Sequence, residues 1–190
     1  NDSDALEMLG MVENSIDRLS RLIADLLEFS RIDVISFEDV GEVNLENLME
    51  DLKSAIVMDT SCAIQLVTSL NFINVNRAGL WMILQNLVTN SIKYCDKPNA
   101  VIEIGIQNDG TQYKCYVKDN GPGIADKFKD QIFEPFKTLN SKDRFGNKGS
   151  GLGLANVKKV VEKLDGKIDL ESEIGKGTTF TFWLKKHDKM

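Results

Sequence analysis

The chain of 190 residues is long enough for one ordinary domain and a helical extension. Its composition, 42% hydrophobic and 27% charged, is that of a globular protein and excludes a disordered chain. The net charge of −6 repels polyanions, so we expect no nucleic-acid partner.

Membrane and redox signals are weak. No apolar run approaches the roughly 18 residues that a spanning helix needs, and no segment has the pattern of a signal peptide. The spacing of Cys62, Cys95 and Cys115 fits neither a zinc knuckle nor a redox pair, so we expect reduced thiols. Because the first residue is Asn1 rather than Met, we expect a piece of a longer protein. The prediction is a cytoplasmic fragment, and anchoring of its parent in the inner membrane stays open.

The first 32 residues are dominated by one pattern. Apolar residues recur at three- and four-residue steps over 5–32, with no glycine or proline after Gly10. This spacing predicts a long amphipathic helix whose apolar stripe needs a partner. The core of the same domain and a second helix in a bundle or dimer are both open. We favour the bundle or dimer, because the stripe is too apolar for a lone solvated helix.

After a mixed-charge boundary at 34–43, helices and strands alternate irregularly. Asn44 is placed to cap a helix, and Asp109-Gly110 supplies the positive φ angles of a tight hairpin turn. The glycine-rich stretch 119–153 has little periodicity and predicts a long functional loop. The predicted helices are 45–58, 77–94 and 151–164, and the predicted strands are 63–70, 72–75, 101–107, 112–118, 167–173 and 178–184. This order predicts an α+β two-layer sandwich with a mixed, mostly antiparallel sheet, covered by helices on one face.

The predicted helix 77–94 has two faces. At about 100° per residue, Asn86, Asn90 and Lys93 fall in one narrow sector, well away from the apolar residues. Amide oxygens one turn apart can bind one hard cation, and a lysine one turn further on can meet a phosphate charge. Judged alone, this set is more typical of a solvated polar face.

The run DNGPGI at 119–124 follows directly on a predicted strand. Its glycines let the backbone turn sharply and approach a flat ligand, and a carboxylate at a strand end can accept a hydrogen bond from an exocyclic amine. In isolation, most runs of this kind are simple turns.

The run GSGLGL at 149–154 opens a predicted helix, so its free N–H groups and the helix dipole can form an anion site. Its spacing is neither that of a Rossmann fingerprint nor that of a P-loop, and a simple glycine-rich turn is the alternative. Upstream of it, Lys137, Lys142, Arg144 and Lys148 suit a lid that closes on phosphates, with a solvated charged loop as the competing interpretation.

Each motif is weak alone, but the ordered series NLVTNSIKY at 86–94, DNGPGI at 119–124, FEPF at 133–136 and GSGLGL at 149–154 is specific. It resembles the N, G1, F and G2 boxes of histidine kinase catalytic domains, within the gyrase, Hsp90, histidine kinase and MutL group of ATPases. The match covers about residues 38 to 185. Residues 18–32 resemble the second helix of the dimerisation and histidine phosphotransfer domain. The resemblance implies a Bergerat-type ATP-binding fold, with an incomplete phosphotransfer domain at 1–34 and a catalytic domain at 38–186.

The resemblance also implies roles for individual residues. Asn90 would coordinate the magnesium that bridges the ATP phosphates, with Asn86 assisting, and Asp119 would accept the adenine amino group. The other implied ATP-binding residues are Lys93, Tyr94, Gly121, Gly123, Ile124, Gly149, Gly151, Leu152, Gly153 and Thr178. The implied lid residues are Phe133 and Phe136, which would anchor it, and Lys137, Lys142, Arg144 and Lys148.

Three features depart from the patterns of relatives. Relatives that hydrolyse ATP commonly carry a water-activating glutamate where this chain has Asn86, which favours phosphoryl transfer to a protein group over hydrolysis. Ser91 replaces the family's usual alanine, a small change. The family's phosphorylated histidine and its adjacent acidic residue lie in a helix before the one that opens this chain, and neither is here.

The implied function is an ATP- and Mg²⁺-dependent protein histidine kinase of a two-component system. A homodimer through the helical bundle and a response-regulator receiver domain are its implied partners. A degenerate nucleotide-binding module that acts through protein contacts is the alternative, and the intact Asn90, Asp119 and G2 glycines speak against it. A serine kinase of the anti-sigma type is disfavoured by the leading helix and the F box. With His187 as the sole histidine, in the polar tail, no catalytic residue is assigned.

Overall fold

A computed structural model describes residues 2–56, 62–139, 143–144, 146 and 149–187. The chain divides into two compact units, Asn1–Ile35 and Ser36–Met190. The first unit is a single helix, α1 (Asp2–Val34), which confirms the long helix predicted from the sequence. Many of its large apolar side chains, including Leu9, Ile16 and Leu19, are exposed. Among the described residues, no helix has the length and apolar character that crossing a membrane requires.

The second unit contains the remaining elements. Its helices are α2 (Leu45–Ala55), α3 (Arg77–Tyr94), α4 (Asp126–Lys129) and α5 (Gly153–Lys163). Its strands are β1 (Gly41–Asn44), β2 (Cys62–Thr68), β3 (Phe72–Val75), β4 (Ala100–Asp109), β5 (Gln112–Asp119), β6 (Lys167–Glu173) and β7 (Gly177–Lys185).

Five strands form the main sheet in the order β2-β4-β5-β7-β6. β2 pairs with β4 in parallel, and the other neighbours pair antiparallel. β1 and β3 form a separate antiparallel pair. The mixed, mostly antiparallel sheet predicted from the sequence is therefore confirmed, as is the β4–β5 hairpin.

Helices α3 and α5 pack against each other over one face of the main sheet. Alternate side chains of the central strands point towards them, and Ile104, Val117 and Phe182 are fully buried there. Along α3 the apolar side is buried, while Asn86 and Asn90 lie on the half-exposed side. The burial of one face of α3 thus decides which of its polar residues are left for a ligand.

Several predicted boundaries were wrong. The helix predicted at 45–58 ends at Ala55, because Ile56 has extended backbone angles, and residues 57–61 lie outside the described part of the chain. The helix predicted from 151 begins at Gly153, since Gly151 has a left-handed φ of 76°. The strand predicted at 63–70 ends at Thr68, whose hydroxyl accepts a hydrogen bond from the Leu70 N–H at 3.0 Å.

Two short elements were missed. β1 lies mostly in the segment predicted as a boundary. It was missed because Val43 is its one buried side chain, which is too little to give an alternating apolar pattern. α4 lies in the segment predicted as a loop, and its four residues are too few to show helical periodicity. In contrast, Asn44 caps α2 as predicted, and its side-chain oxygen accepts from the Asn47 N–H at 2.9 Å.

Candidate nucleotide site

The carboxylate of Asp119 lies at the centre of the first half of the site. Strand pairing sets Asp119 of β5 opposite Thr178 of β7. Its Oδ1 atom accepts hydrogen bonds from the N–H groups of Gly121 at 2.9 Å and Thr178 at 3.1 Å. Its Oδ2 atom lies 3.2 Å from the hydroxyl of Ser91 on α3. Three distant segments therefore hold one carboxylate, and we name Asp119, Ser91 and Thr178 the base cluster.

Burial and hydrogen bonding shift the pKa of Asp119 in opposite directions. Burial raises the pKa of the carboxyl above its usual value. The hydrogen bonds from Gly121, Thr178 and Ser91, together with the charge of Lys97, lower this pKa and so work against the effect of burial. A half-buried carboxylate with directed donors around it is typical of a recognition site rather than of a surface ion pair.

The G1 loop after Asp119 is docked on the turn between β6 and β7. The Gly175 N–H donates to the Pro122 carbonyl at 2.7 Å, and the Ile124 N–H donates to the Ser172 hydroxyl at 2.8 Å. Gly123 has a φ of 75°, and a Cβ there would collide with the Glu173 carbonyl oxygen. A glycine is thus required at 123 for contact with the protein's own backbone.

The second half of the site is the beginning of α5. Its first residue, Gly153, faces the polar side of α3, since a Cβ placed on Gly153 would lie 3.2 Å from Asn86 Oδ1. The same Cβ would lie 3.6 Å and 3.7 Å from Nδ2 and Oδ1 of Asn90. No side chain caps this helix end, at Leu152. Backbone N–H groups, a helix dipole and two amides therefore meet at one point, which we name the phosphate cluster (Asn86, Asn90 and Gly149–Gly153).

The amide of Asn86 has a defined orientation. Its Nδ2 donates to the Met82 carbonyl one turn earlier at 2.9 Å, so its Oδ1 is left as the acceptor on the Gly153 side. An amide oxygen suits a hard cation or a water in the shell of one. An amide cannot take up a proton at neutral pH, so Asn86 cannot act as the base of a hydrolytic reaction.

The G2 loop is fastened to the segments on both sides of it. The Phe136 N–H donates to the Gly151 carbonyl at 3.0 Å, and a Cβ on Gly151 would lie 2.6 Å from the Lys137 carbonyl oxygen. On the other side, a Cβ on Gly149 would lie 2.6 Å from the hydroxyl oxygen of Tyr94. Burial, and then the charge of Asp143, raises the pKa of Tyr94, so this hydroxyl is neutral at physiological pH.

The predicted lid residues differ in the contacts that they make. The Phe133 ring packs edge-to-face on Phe180 at 6.2 Å, as expected of an anchor. The Phe136 ring is 60% exposed, while its backbone N–H is bound to Gly151, so its role as an anchor stays a prediction. Lys137 lies 3.4 Å from Glu134 at the surface, and the Arg144 N–H donates to the Lys93 carbonyl at 2.8 Å. The remaining predicted lid residues, Lys142 and Lys148, lie outside the described residues.

Comparison with known families identifies the chain. Residues 75–188 match the model of the histidine kinase-, DNA gyrase B- and HSP90-like ATPase family. The chain belongs to this ATPase family. The matched segment contains the base cluster, the phosphate cluster and α3, so the family match and the geometry concern the same residues.

The similar curated proteins include a phytochrome and a sensor protein. The chain is 37% identical over 187 residues to cyanobacterial phytochrome B of Nostoc sp. strain PCC 7120, covering 97% of this chain and 25% of that protein. It is 32% identical over 189 residues to the sensor protein SrrB of Staphylococcus aureus, covering 95% of this chain and 32% of that protein. The chain thus spans about a quarter to a third of the length of these relatives.

Solved histidine kinase structures share the fold of this chain. The catalytic domain of histidine kinase ThkA is 26% identical, with a TM-score of 0.65 over 78% of this chain and 96% of that domain. Full-length ShkA in complex with AMPPNP gives a TM-score of 0.75 at 24% identity, over 97% of this chain and 39% of that one. ThkA in complex with the response regulator TrrA gives a TM-score of 0.69 at 23% identity, over 95% of this chain and 51% of that one. The predicted Bergerat-type fold is confirmed.

The sequence did not reveal two residues of the site. Ser172 accepts from the Ile124 N–H and lies 2.9 Å from the Gly177 carbonyl and 3.0 Å from the Thr178 hydroxyl. Lys97 donates to the Gly175 carbonyl at 3.3 Å, beside the base cluster. Both act on partners far away in the chain, so only the pairing of β6 with β7 and the docking of the G1 loop could have indicated them.

Proposed function

We propose that this chain is the ATP-binding catalytic part of a protein histidine kinase in a two-component system. It binds Mg-ATP and transfers the γ-phosphoryl group to a histidine on a helix that is not part of this chain, for relay to an aspartate of a response-regulator receiver domain. One observation carries the proposal: in a chain of this ATPase family, α3 carries both the Ser91 hydroxyl beside the half-buried carboxylate of Asp119 and the two amides beside the uncapped N-terminus of α5.

The base cluster supplies recognition of adenine. Oδ1 of Asp119 is already occupied by two backbone donors, so Oδ2 is the oxygen that accepts from the 6-amino group. Thr178 is buried beside it, and its hydroxyl can donate to or accept from a ring nitrogen or a bridging water. The half-buried Tyr94 and Ile124 are placed to line the pocket around the base, together with Gly121.

The phosphate cluster supplies charge stabilisation. The amide oxygens of Asn90 and Asn86 fit Mg²⁺, a hard cation that prefers oxygen ligands. When bound, Mg²⁺ neutralises charge on the phosphates during phosphoryl transfer. The N–H groups of Gly149, Gly151 and Gly153 face the phosphates at the N-terminus of α5, and Leu152 is buried beneath them. The exposed ammonium of Lys93 supplies a further positive charge.

Transfer to a protein group is favoured over hydrolysis. A water nucleophile gains about 100-fold or more from a general base within reach. In the phosphate cluster the residue at the position of such a base is Asn86, whose amide already donates to Met82 and cannot accept a proton. A histidine acceptor needs less help of this kind, because a neutral imidazole nitrogen is itself nucleophilic.

The remaining proposals concern the parent protein. Residues 1–34 are the second helix of a dimerisation and phosphotransfer domain, and 38–186 the catalytic domain. The exposed apolar side chains of α1 support a homodimer through a helical bundle. The ThkA complex supports a receiver domain as partner. We propose a cytoplasmic location for this part of the parent.

A phosphotransfer assay tests the function. The chain is mixed with a separately made phosphoacceptor helix pair, Mg²⁺ and γ-labelled ATP, and the product is tested for acid-labile, base-stable label. We expect phosphohistidine on the acceptor with the wild type, and none with Asn90→Ala, which removes the proposed magnesium ligand. Asn47→Ala, at an exposed position of α2, is the matched control and should label normally.

The outcomes separate the candidate functions. Absence of label with a folded wild-type chain that binds Mg-ATP would contradict the kinase proposal and favour the regulatory module. Phosphoserine in the product would favour the anti-sigma type of kinase. Calorimetry gives an early indication, because a degenerate module is expected to bind ATP without Mg²⁺ or not at all.

A further inference from the structure

Ser91 lies at a position where one proton has two acceptors. The residue follows Asn90 on α3 and is buried, with 6% of its surface exposed. Its Oγ lies 3.1 Å from the Leu87 carbonyl oxygen and 3.2 Å from Oδ2 of Asp119. A hydroxyl carries one proton, so it can donate to only one of these acceptors at a time.

The charge of Asp119 decides between the two acceptors. If Ser91 donated to Leu87, its own lone pairs would face the lone pairs of an ionised carboxylate, which is repulsive. Donation to Oδ2 removes this repulsion and forms a charge-assisted hydrogen bond, the stronger of the two. Leu87 loses little, since its carbonyl lies within the α3 ladder. The hydroxyl proton therefore lies on the Asp119 side when the carboxylate is ionised.

This contact falls on the one oxygen that a ligand can use. Oδ1 accepts from Gly121 and Thr178, which leaves Oδ2 with Ser91 as its neighbour among the described residues. A carboxylate oxygen has two lone pairs in the plane of the group. With Ser91 bound to one, the other is a pure acceptor of fixed direction, which suits an amino donor.

We propose that Ser91 is a specificity-determining residue of the base cluster: its hydroxyl fixes Oδ2 of Asp119 as an acceptor and thereby strengthens selection of a 6-aminopurine nucleotide. The inference rests on the proposed function. Ser91 holds Asp119 in place and does not touch the reacting phosphates. The replacement of the family's usual alanine is then a functional change rather than a neutral one.

A pair of nucleotides isolates the contact. Purine riboside triphosphate lacks the 6-amino group of ATP and is otherwise the same molecule. Dissociation constants for both are measured with Mg²⁺ by calorimetry on the wild type, Ser91→Ala and Ser91→Thr. We expect Ser91→Ala to weaken the binding of ATP about tenfold and that of purine riboside triphosphate by no more than about twofold. The variant loses the hydrogen bond to Oδ2 with either nucleotide, but only ATP has an amino group that uses this oxygen. Ser91→Thr keeps a hydroxyl and should keep the preference for ATP.

A matched control exists on α1. Ser15 also bonds the carbonyl four residues before it, Met11, at 2.7 Å, but in the other compact unit. Ser15→Ala removes the same kind of helix contact and should leave both constants unchanged.

The outcomes are distinct. Equal weakening of both nucleotides in Ser91→Ala, or none, overturns the inference and leaves the proposed function standing. The same holds if Ser91→Thr loses the ATP preference as completely as Ser91→Ala does. A wild-type chain that binds neither nucleotide overturns the proposed function and this inference together.

Discussion

The two halves of the site are built in different ways. The base cluster is a network of side chains and backbone from α3, β5 and β7, in which Asp119 alone has three donors. The phosphate cluster is mostly backbone at the start of α5, with the amides of Asn86 and Asn90 beside it. The base cluster is largely buried, whereas the phosphate cluster is half-exposed and has no capping side chain.

This difference matches the role that we propose for each half. Selecting one flat base requires donors and acceptors of fixed direction, which a prearranged network provides at no further cost on binding. Holding a triphosphate and its metal requires free N–H groups and oxygens that the protein has not already paired. We therefore expect substitutions in the base cluster to change which nucleotide binds, and substitutions in the phosphate cluster to change how strongly any nucleotide binds.

The largest effect is expected from Asp119→Asn. The amide keeps an oxygen for Gly121 and Thr178 but presents NH₂ in place of Oδ2, so the 6-amino group of ATP meets a donor. We expect ATP affinity to fall about 100-fold or more, because two donors, the amide NH₂ of the variant and the 6-amino group of ATP, would face each other without an acceptor. Calorimetry with ATP and purine riboside triphosphate measures the effect, and the second nucleotide should be much less affected.

The same variant should not be less stable. The pKa of Asp119 is raised in the folded protein. The stability linked to a raised carboxyl pKa is present below the unfolded pKa and is lost as pH rises through the folded pKa. At neutral pH the ionised Asp119 therefore destabilises the fold, and the neutral amide side chain of the variant removes this penalty. A thermal unfolding midpoint equal to or above that of the wild type is expected, and a clear decrease would show that Asp119 has a structural role instead.

The next effect is expected from Gly153→Ala, in the phosphate cluster. The φ angle of Gly153 is not positive, and an alanine Cβ would meet only side-chain amide atoms at 3.2 Å or more. The new methyl group intrudes where phosphate and metal should bind, so we expect about tenfold weaker binding of ATP and purine riboside triphosphate alike. Alanine also favours the helix by up to about 1 kcal/mol, so unfolding should not become easier.

A helical glycine away from the site is the control. Gly10 of α1 has no atom within 4 Å of a built Cβ, so Gly10→Ala tests the helix effect alone. It should leave nucleotide affinity unchanged. Loss of ATP binding in Gly153→Ala with intact binding of purine riboside triphosphate would contradict the expectation that the phosphate cluster affects all nucleotides alike.

Local patterns in the sequence predicted the parts of the phosphate cluster, and the family resemblance implied that they act together. The positions of Asn86 and Asn90 follow from helical periodicity, and the glycine run before α5 follows from local chemistry. These signals act within one or two turns of the chain. The same reasoning predicted the carboxylate of Asp119 at a strand end, but not which atoms hold it.

The network around Asp119 could not be predicted, because its contacts join residues far apart. Thr178 donates to Asp119 across 59 residues, and Ile124 donates to Ser172 across 48. Such contacts depend on strand order and register, which a single sequence does not determine.

A smaller effect is expected from Ser172→Ala, at the edge of the base cluster. The substitution leaves the Ile124 N–H without its acceptor and releases the G1 loop from β6. Since a neutral hydrogen bond contributes about 1 kcal/mol, we expect about fivefold weaker ATP binding. Ser36→Ala is the comparison, because that serine accepts a backbone N–H at 3.3 Å outside the site. Equal effects of the two variants would show that the Ser172 hydroxyl does not support nucleotide binding.

The smallest effect is the pH dependence of the preference for ATP. Only the ionised Asp119 accepts from the 6-amino group, so ATP binding is complete above the pKa of the carboxyl and is lost as pH falls through it. Because burial raises this pKa, with Lys97 as the charged group opposing it, the loss begins at a higher pH than for an exposed aspartate.

The phosphates of the nucleotide also titrate in this range, which would obscure a direct comparison of ATP affinities. Purine riboside triphosphate carries the same phosphates, so the ratio of the two dissociation constants cancels their contribution. As the pH falls from 8 we expect this ratio to move towards equality in the wild type, because burial raises the pKa of the Asp119 carboxyl. In Asp119→Asn the ratio should not change with pH, since the titrating carboxyl is gone. A wild-type ratio that does not change with pH would mean that the carboxylate stays fully ionised throughout. The lowering of its pKa by Gly121, Thr178, Ser91 and Lys97 would then outweigh the raising of it by burial.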